Sequence, residues 1–402
     1  MKSKVKSQKL KIYVYEDEYY KDLLPLVYLR PVFDLYCGVF TFRDRIQKLY
    51  PEAQIYQLSR FDTTTITLQH QAEYKALGEH TGSPLLFING RAILHSPLPD
   101  EEGVFVAGDE VIGFKIKDSR LKIEDLKPPI EIKFLDTIKR EFKSIEVKAT
   151  VIKYLWDLIK ENEATIIEDY KLKVKSERGS TSKLKVKGVY LLENEGPIYI
   201  GDNVQIKPPT VIEGPCYIGS GSLIDGAKIR KGTTIGKYCR IGGEVERSIF
   251  SDFSNKHHEG FVGHSYIGEW VNLGALTTTS DLKNTYSTVK IQGFKGSKVQ
   301  EIDTGLVKLG SFIGDHTKTG IGTLLDTGSV IGCFVNLYGG GVAPRYIPSF
   351  SWGTKDKLVE YKLDKAIEVA KIVMARRGMG LTDEYKALIR KVFEATQIYR
   401  VK

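Results

Sequence analysis

Residues 200–224 read IGDNVQIKPPTVIEGPCYIGSGSLI, and in them Ile200, Ile206, Ile212, Ile218 and Ile224 fall six apart among glycines and small residues. The beat resumes after a one-residue slip at Ile235 and Ile241, returns at Ile267 and Leu273, and runs on through Ile313, Thr319, Leu325, Ile331 and Leu337. An amphipathic helix would repeat its apolar stripe at three and four residues, and a half-buried strand at two. One aliphatic residue in six fits a β-helix instead. Each hexapeptide forms one flat face, three faces close a coil, and the aliphatic side chain points into a core shared by stacked coils.

Outward from this solenoid, set at residues 186–345, the pattern changes on both sides. Residues 1–185 read as an α/β domain: Lys11–Tyr15 and Pro84–Ile88 as short buried strands, Phe42–Leu49 and Val151–Lys160 as helices. The lysine-rich run Lys171–Lys187 reads as a linker or exposed hairpin. Between Asp281 and Leu309 the beat is lost, and Thr288–Ile291 followed by Gly293, Lys295 and Gly296 reads as a hairpin thrown out of the prism. In residues 346–402, Ala366, Ile367, Ala370, Val373 and Met374 form one helical stripe and Leu388, Ile389, Val392 and Phe393 another, expected to cap the open end of the solenoid.

At 402 residues and 42% hydrophobic content the chain is too long for one ordinary core and too apolar for disorder. It has no uninterrupted apolar run of about 18 residues, and its basic start lacks the apolar region of a signal peptide, so the expected setting is the cytoplasm, away from membranes. Cys37, Cys216, Cys239 and Cys333 contain no C-x-x-C pair, which speaks against a disulfide framework or a cysteine zinc site. A net charge of +9 suits acidic small molecules, but the basic residues are dispersed without a recognition motif, and no nucleic-acid partner is expected.

Three of the seven histidines, His257, His258 and His264, crowd into SNKHHEGFVGHSYIGEWVNLGA with Lys256, Glu259 and Asn272. Histidine titrates near neutrality and can take a proton from an attacking amine or hydroxyl, so one of these is a candidate general base. The competing reading is a turn filled by locally bonded histidines. The set lacks a recognised zinc spacing, and no metal site is assigned.

The combination of NKHHEGFVGHSYIGEWVNLGA, SDLKNTYSTVK, GDHTKTGI and IPSFSWG resembles a divergent GlmU-like family of sugar-phosphate nucleotidyltransferases, over nearly the whole chain. Its better-known members join a Rossmann-like nucleotidyltransferase domain to a left-handed parallel β-helix that acetylates glucosamine 1-phosphate. Matched to the acetyltransferase motif, His258 falls on the general base, Asn272 on a sugar contact and Ala275 on a small residue near acetyl-CoA. Lys256, Asp281 and Lys283 stand as further substrate contacts. Phe261 replaces the motif's tyrosine and Asp281 its asparagine, so the resemblance also allows an acceptor other than glucosamine 1-phosphate. It implies a homotrimer with active sites between neighbouring prisms.

The first domain departs further. Where the family has a glycine-rich triphosphate loop, this chain reads YEDEYYKDLLPL, with no glycine. Val32 takes the place of the phosphate-binding lysine, leaving Arg30 as the candidate anion contact. Arg91 stands where the family carries its magnesium-binding aspartate, so Mg2+ is expected only if this domain is active. Asp100, Glu101 and Glu102 read as a solvated acidic loop.

Three functions follow in order. The first is acetyl-CoA-dependent N-acetyl transfer to an amino sugar or its 1-phosphate. The second is sugar-1-phosphate nucleotidyl transfer giving a UDP- or dTDP-sugar, alone or in addition. The third is a trimeric sugar-nucleotide-binding scaffold without chemistry.

Overall fold

The computed structural model describes residues 9–60, 77, 85–116, 122–174, 186–295 and 298–400. Most of the expected Lys171–Lys187 linker, and Gly296 in the expected hairpin, lie outside the described residues. The chain divides into two units, one of residues 1–20, 31–34 and 41–153, the other of 21–30, 35–40 and 154–402.

In the first unit β1 (Lys11–Tyr15) lies between β2 (Gln54–Leu58) and β3 (Leu85–Asn89), parallel to both. Antiparallel β4 (Gly103–Ala107) and β5 (Glu110–Lys115) and short β6 (Ser144–Glu146) complete a mixed sheet in the order β2-β1-β3-β5-β4-β6. Stacked Tyr13, Phe87 and Phe114 fill one side of it. Helix α1 (Phe42–Leu49) starts at Thr41, whose hydroxyl accepts from the Asp44 amide, and α2 (Ile132–Glu141) buries Leu135 and Ile138.

The second unit begins its helical content with α3 (Leu155–Val174), which starts four residues later than the sequence pattern suggests and runs longer. It holds the β-helix. Ile218, Ile235, Phe250, Ile267, Ile313, Ile331 and Ile347 are successive partners down one parallel sheet, and each is at most 2% exposed. That is every third step of the six-residue beat, one interior side chain per coil on this face. A second interior file runs Ile206, Ile224, Ile241, Lys256 on one sheet. A lysine thus occupies an aliphatic position. The interruption after Asp281 is an antiparallel hairpin, Lys290–Lys295 with Lys298–Asp303.

One corner carries an aromatic ring on coil after coil. Tyr238, Phe253, Trp270, His316, Phe334 and Phe350 all sit at φ between 55° and 62° and stack in sequence. Helices α4 (Leu363–Ala375) and α5 (Asp383–Ala395) pack Ala366, Ala370, Leu388, Ile389 and Val392 against Phe334, Phe350 and Cys333. They therefore lie along the flank of the prism rather than over its open end as expected. The helices' apolar stripes cover the Phe334–Phe350 end of the ring ladder.

Candidate functional site

The outward positions of one sheet align Arg240, Asn255, Asn272, Lys318 and Asn336 across successive strands. Side chains alternate in and out along a strand, so coils that bury Ile241 and Leu273 necessarily present Arg240 and Asn272 outward. This polar ladder, the Phe253–Trp270 edge of the corner stack and the last turn of α4 enclose a cavity of about 550 Å³. His257, His258, Asn272 and Ala275 line it together with Arg240, Lys318, Arg376 and Arg377.

The histidines reach the cavity because the chain leaves the coil after Lys256. Lys256 is fully buried, and its ammonium donates to the carbonyls of Gly242 (3.3 Å) and His258. Burial pushes its pKa down to about 8, against a smaller upward pull from Glu259. It therefore anchors the loop from inside the prism and does not line the cavity. His258 is exposed, and its ring centroid lies 5.1 Å from that of His257. His257 Nε2 is 3.2 Å from Asp225 Oδ2, a carboxylate in turn bonded by Lys207 at 3.0 Å.

Asn272 is exposed, with its Oδ1 accepting from Asn255 at 3.3 Å. Lys318, its strand partner, is largely buried and donates to the His316 carbonyl at 3.0 Å, and burial pushes its pKa down to about 8.

The other expected contacts lie elsewhere. Asp281 is bonded to His264 Nδ1 at 2.7 Å, Lys283 donates to the Thr288 carbonyl at 2.6 Å, and neither lines the cavity. Arg30 is buried, with its guanidinium on Glu269 and Asp315, each at 2.7 Å. Both carboxylates belong to the solenoid's own coils, so Arg30 acts as an internal tie there instead of presenting a free anion contact.

In the first unit the end of β1 is closed by charge pairs. Arg91, 1% exposed, donates to both oxygens of Asp17, at 2.9 and 2.6 Å, and to the Ile152 carbonyl at 2.8 Å. Asn89 adds a third donor to Asp17 at 2.8 Å. Beside it Glu16 accepts from the Val32 amide and from the amide and Nε of Arg60. With the Tyr19 amide at 3.2 Å as a fourth donor, two of the four coming from a guanidinium, the Asp17 carboxylate has no geometry left for Mg2+, and these residues do not fit the ion. Asp100 and Glu101 are paired with Lys115 and Lys143.

Arg240, Lys318, Arg376 and Arg377 escape notice in the sequence because they come from three separate stretches. Only the coil register, with Arg240, Asn255, Asn272 and Lys318 at equivalent positions, could have flagged the first and second of them.

Residues 12–178 match the sugar nucleotidyl transferase family. A bifunctional sugar-1-phosphate nucleotidylyltransferase/acetyltransferase of Sulfurisphaera tokodaii is 38% identical over 161 residues, 36% of this chain and 39% of that protein. A bifunctional protein GlmU of Methanococcus aeolicus is 31% identical over 234 residues, 53% of each chain. The chain thus spans about half the length, or less, of these curated relatives. The UDP-N-acetylglucosamine acyltransferase of Campylobacter jejuni aligns over 51% of this chain and 94% of that chain at 12% identity, with a TM-score of 0.22.

Proposed function

We propose that this chain, which belongs to a GlmU-like family at modest identity, is a coenzyme-A-dependent acyltransferase acting on the amino group of a phosphorylated amino sugar. The observation that carries the reading is the single cavity that gathers His258, Asn272 and Ala275, all drawn from the acetyltransferase motif, with a surplus of cations.

In this reading the acceptor nitrogen attacks the thioester carbonyl carbon while an imidazole nitrogen of His258 takes the proton that the nitrogen sheds. The carbon–sulfur bond then breaks, and the same proton passes from His258 to the departing thiolate. Asn272, exposed beside its strand partner Lys318, holds the sugar hydroxyls. Ala275 leaves room for the acyl chain and pantetheine arm. The Lys256 ammonium keeps the His258 backbone in place from within the prism. A homotrimer, with neighbouring prisms completing each site, belongs to the same proposal.

A second reading, nucleotidyl transfer in the first unit, is favoured by the family match over residues 12–178. Against it stand Arg91 and Asp17, locked to each other where a metal carboxylate is needed.

The test is thiol release from acetyl-CoA with a panel of amino sugars and their 1-phosphates, in the wild type and in His258→Ala. Release should require one acceptor and fall by about 10²- to 10⁴-fold in the variant. Transfer that survives the substitution intact would remove His258 from the chemistry. Absence of transfer with any acceptor would favour a binding scaffold.

A further inference from the structure

Among the described residues, three arginines in the cavity have no counter-ion. Arg376 caps the C-terminus of α4, Arg377 follows it, and Arg240 lines the same cavity from the prism. Among the described residues none of the three pairs with a carboxylate, and no Asp or Glu lines the cavity. Arg377 is half-buried, donating to the Tyr238 carbonyl at 3.3 Å and to Asn255 Oδ1 at 2.7 Å. Its pKa is lowered first by burial and then by the charges of Arg240 and Arg376.

The dipole of α4 favours cations at its C-terminal end and accounts for Arg376 and Arg377. It does not account for Arg240, which belongs to a strand of the prism and adds a like charge to the same space. Convergent cations without a carboxylate are unfavourable until an anion fills them, and a guanidinium presents paired N–H donors that match two phosphate oxygens.

We infer that Arg240, Arg376 and Arg377 form a clamp for a phosphate monoester, with α4 supplying two of its three arms. Two sources of that group are consistent with the acyl-transfer reading, on which the choice of probes rests: the 1-phosphate of the acceptor and the 3′-phosphate of coenzyme A.

Calorimetric titration of the full chain separates them. The probes are coenzyme A against 3′-dephospho-coenzyme A, and glucosamine 1-phosphate against glucosamine. One phosphorylated probe should bind roughly 10- to 100-fold more tightly than its partner, the span expected for charge-assisted hydrogen bonds. Arg240→Gln and Arg376→Gln, at arginines that make no side-chain bond among the described residues, should remove most of that ratio and leave the unphosphorylated probe's affinity unchanged. Thermal melts of both variants would verify that they fold. The pair whose ratio collapses identifies the source. If neither phosphate improves binding, or both variants keep the wild-type ratios, the clamp is wrong. Phosphate-dependent binding without acetyl transfer to any acceptor would defeat the acyltransferase reading and leave the clamp standing.

Discussion

Lys256 occupies an interior position of the β-helix that its neighbour Ile241 fills with an aliphatic side chain, and replacing it with methionine should change how stability responds to pH. Burial lowers its pKa from 10.5 to about 8. At 1.36 kcal/mol for each tenfold change, keeping that ammonium charged at pH 7 costs about 3 kcal/mol. The methionine removes this cost. It also leaves the carbonyls of Gly242 and His258 without their donor, at about 1–3 kcal/mol for each that water cannot reach. At pH 7 the two effects roughly offset each other, so the variant should stay within about 2 kcal/mol of wild type.

The pH series is more decisive. Because the folded-state pKa is the lower one, between about 8 and 10.5 the unfolded chain still holds a proton that the folded chain has released. Stability from this group therefore rises with pH through that window. Lys318 behaves alike but is present in both proteins and cancels in the difference. Urea denaturation of both at steps from pH 7 to 10.5 should show wild type gaining about 3 kcal/mol relative to Lys256→Met. A difference that stays flat across the window would refute a buried, charged Lys256.

Lys318, with its pKa near 8, should lose its charge in the cavity as pH rises through that value. Affinity for the phosphorylated probe should then weaken up to about tenfold in the wild type, and in Lys318→Arg, which stays charged, the inflection should vanish. If the same inflection persists in the arginine variant, Lys318 is not its source. Arg91→Leu leaves the Asp17 carboxylate buried with Asn89 as its remaining side-chain donor, and should lower stability by about 3–5 kcal/mol. Asp17→Asn combined with Arg91→Leu should recover most of that loss. A single variant as stable as wild type would show that the pair is not structural.

Much of the β-helix was legible because its constraint is one-dimensional: each face of a coil needs one inward aliphatic side chain, and on one face Ile218, Ile235, Ile267, Ile313 and Ile331 supply it. The beat breaks at Phe250 and Lys256 because the interior selects for volume and satisfied polar atoms rather than for isoleucine. The corner ladder was not legible. Its rings are held at positive φ, and no single residue type marks the position, since tyrosine, phenylalanine, tryptophan and histidine all serve. Without the ladder, the helical stripes at Ala366 and Leu388 have no visible surface to cover, which is why they read as an end cap.

At the site, His258, Asn272 and Ala275 could be found because they lie in one continuous stretch, residues 258–275, on one coil and its neighbour. The arginines could not, because their meeting depends on where α4 crosses the prism. The first unit poses the opposite problem. There the sequence reveals two separate departures from the resembled pattern, a glycine-free loop and an arginine in place of an aspartate, and the structure joins them: Asp17 stands in the loop, Arg91 at the far position, and the two form a buried ion pair. Two buried charges that neutralise each other are retained or lost together, because removing either strands its partner. Restoring an aspartate at 91 alone would set two buried carboxylates against each other instead of rebuilding a metal site. A magnesium site here would therefore need changes at both positions at once.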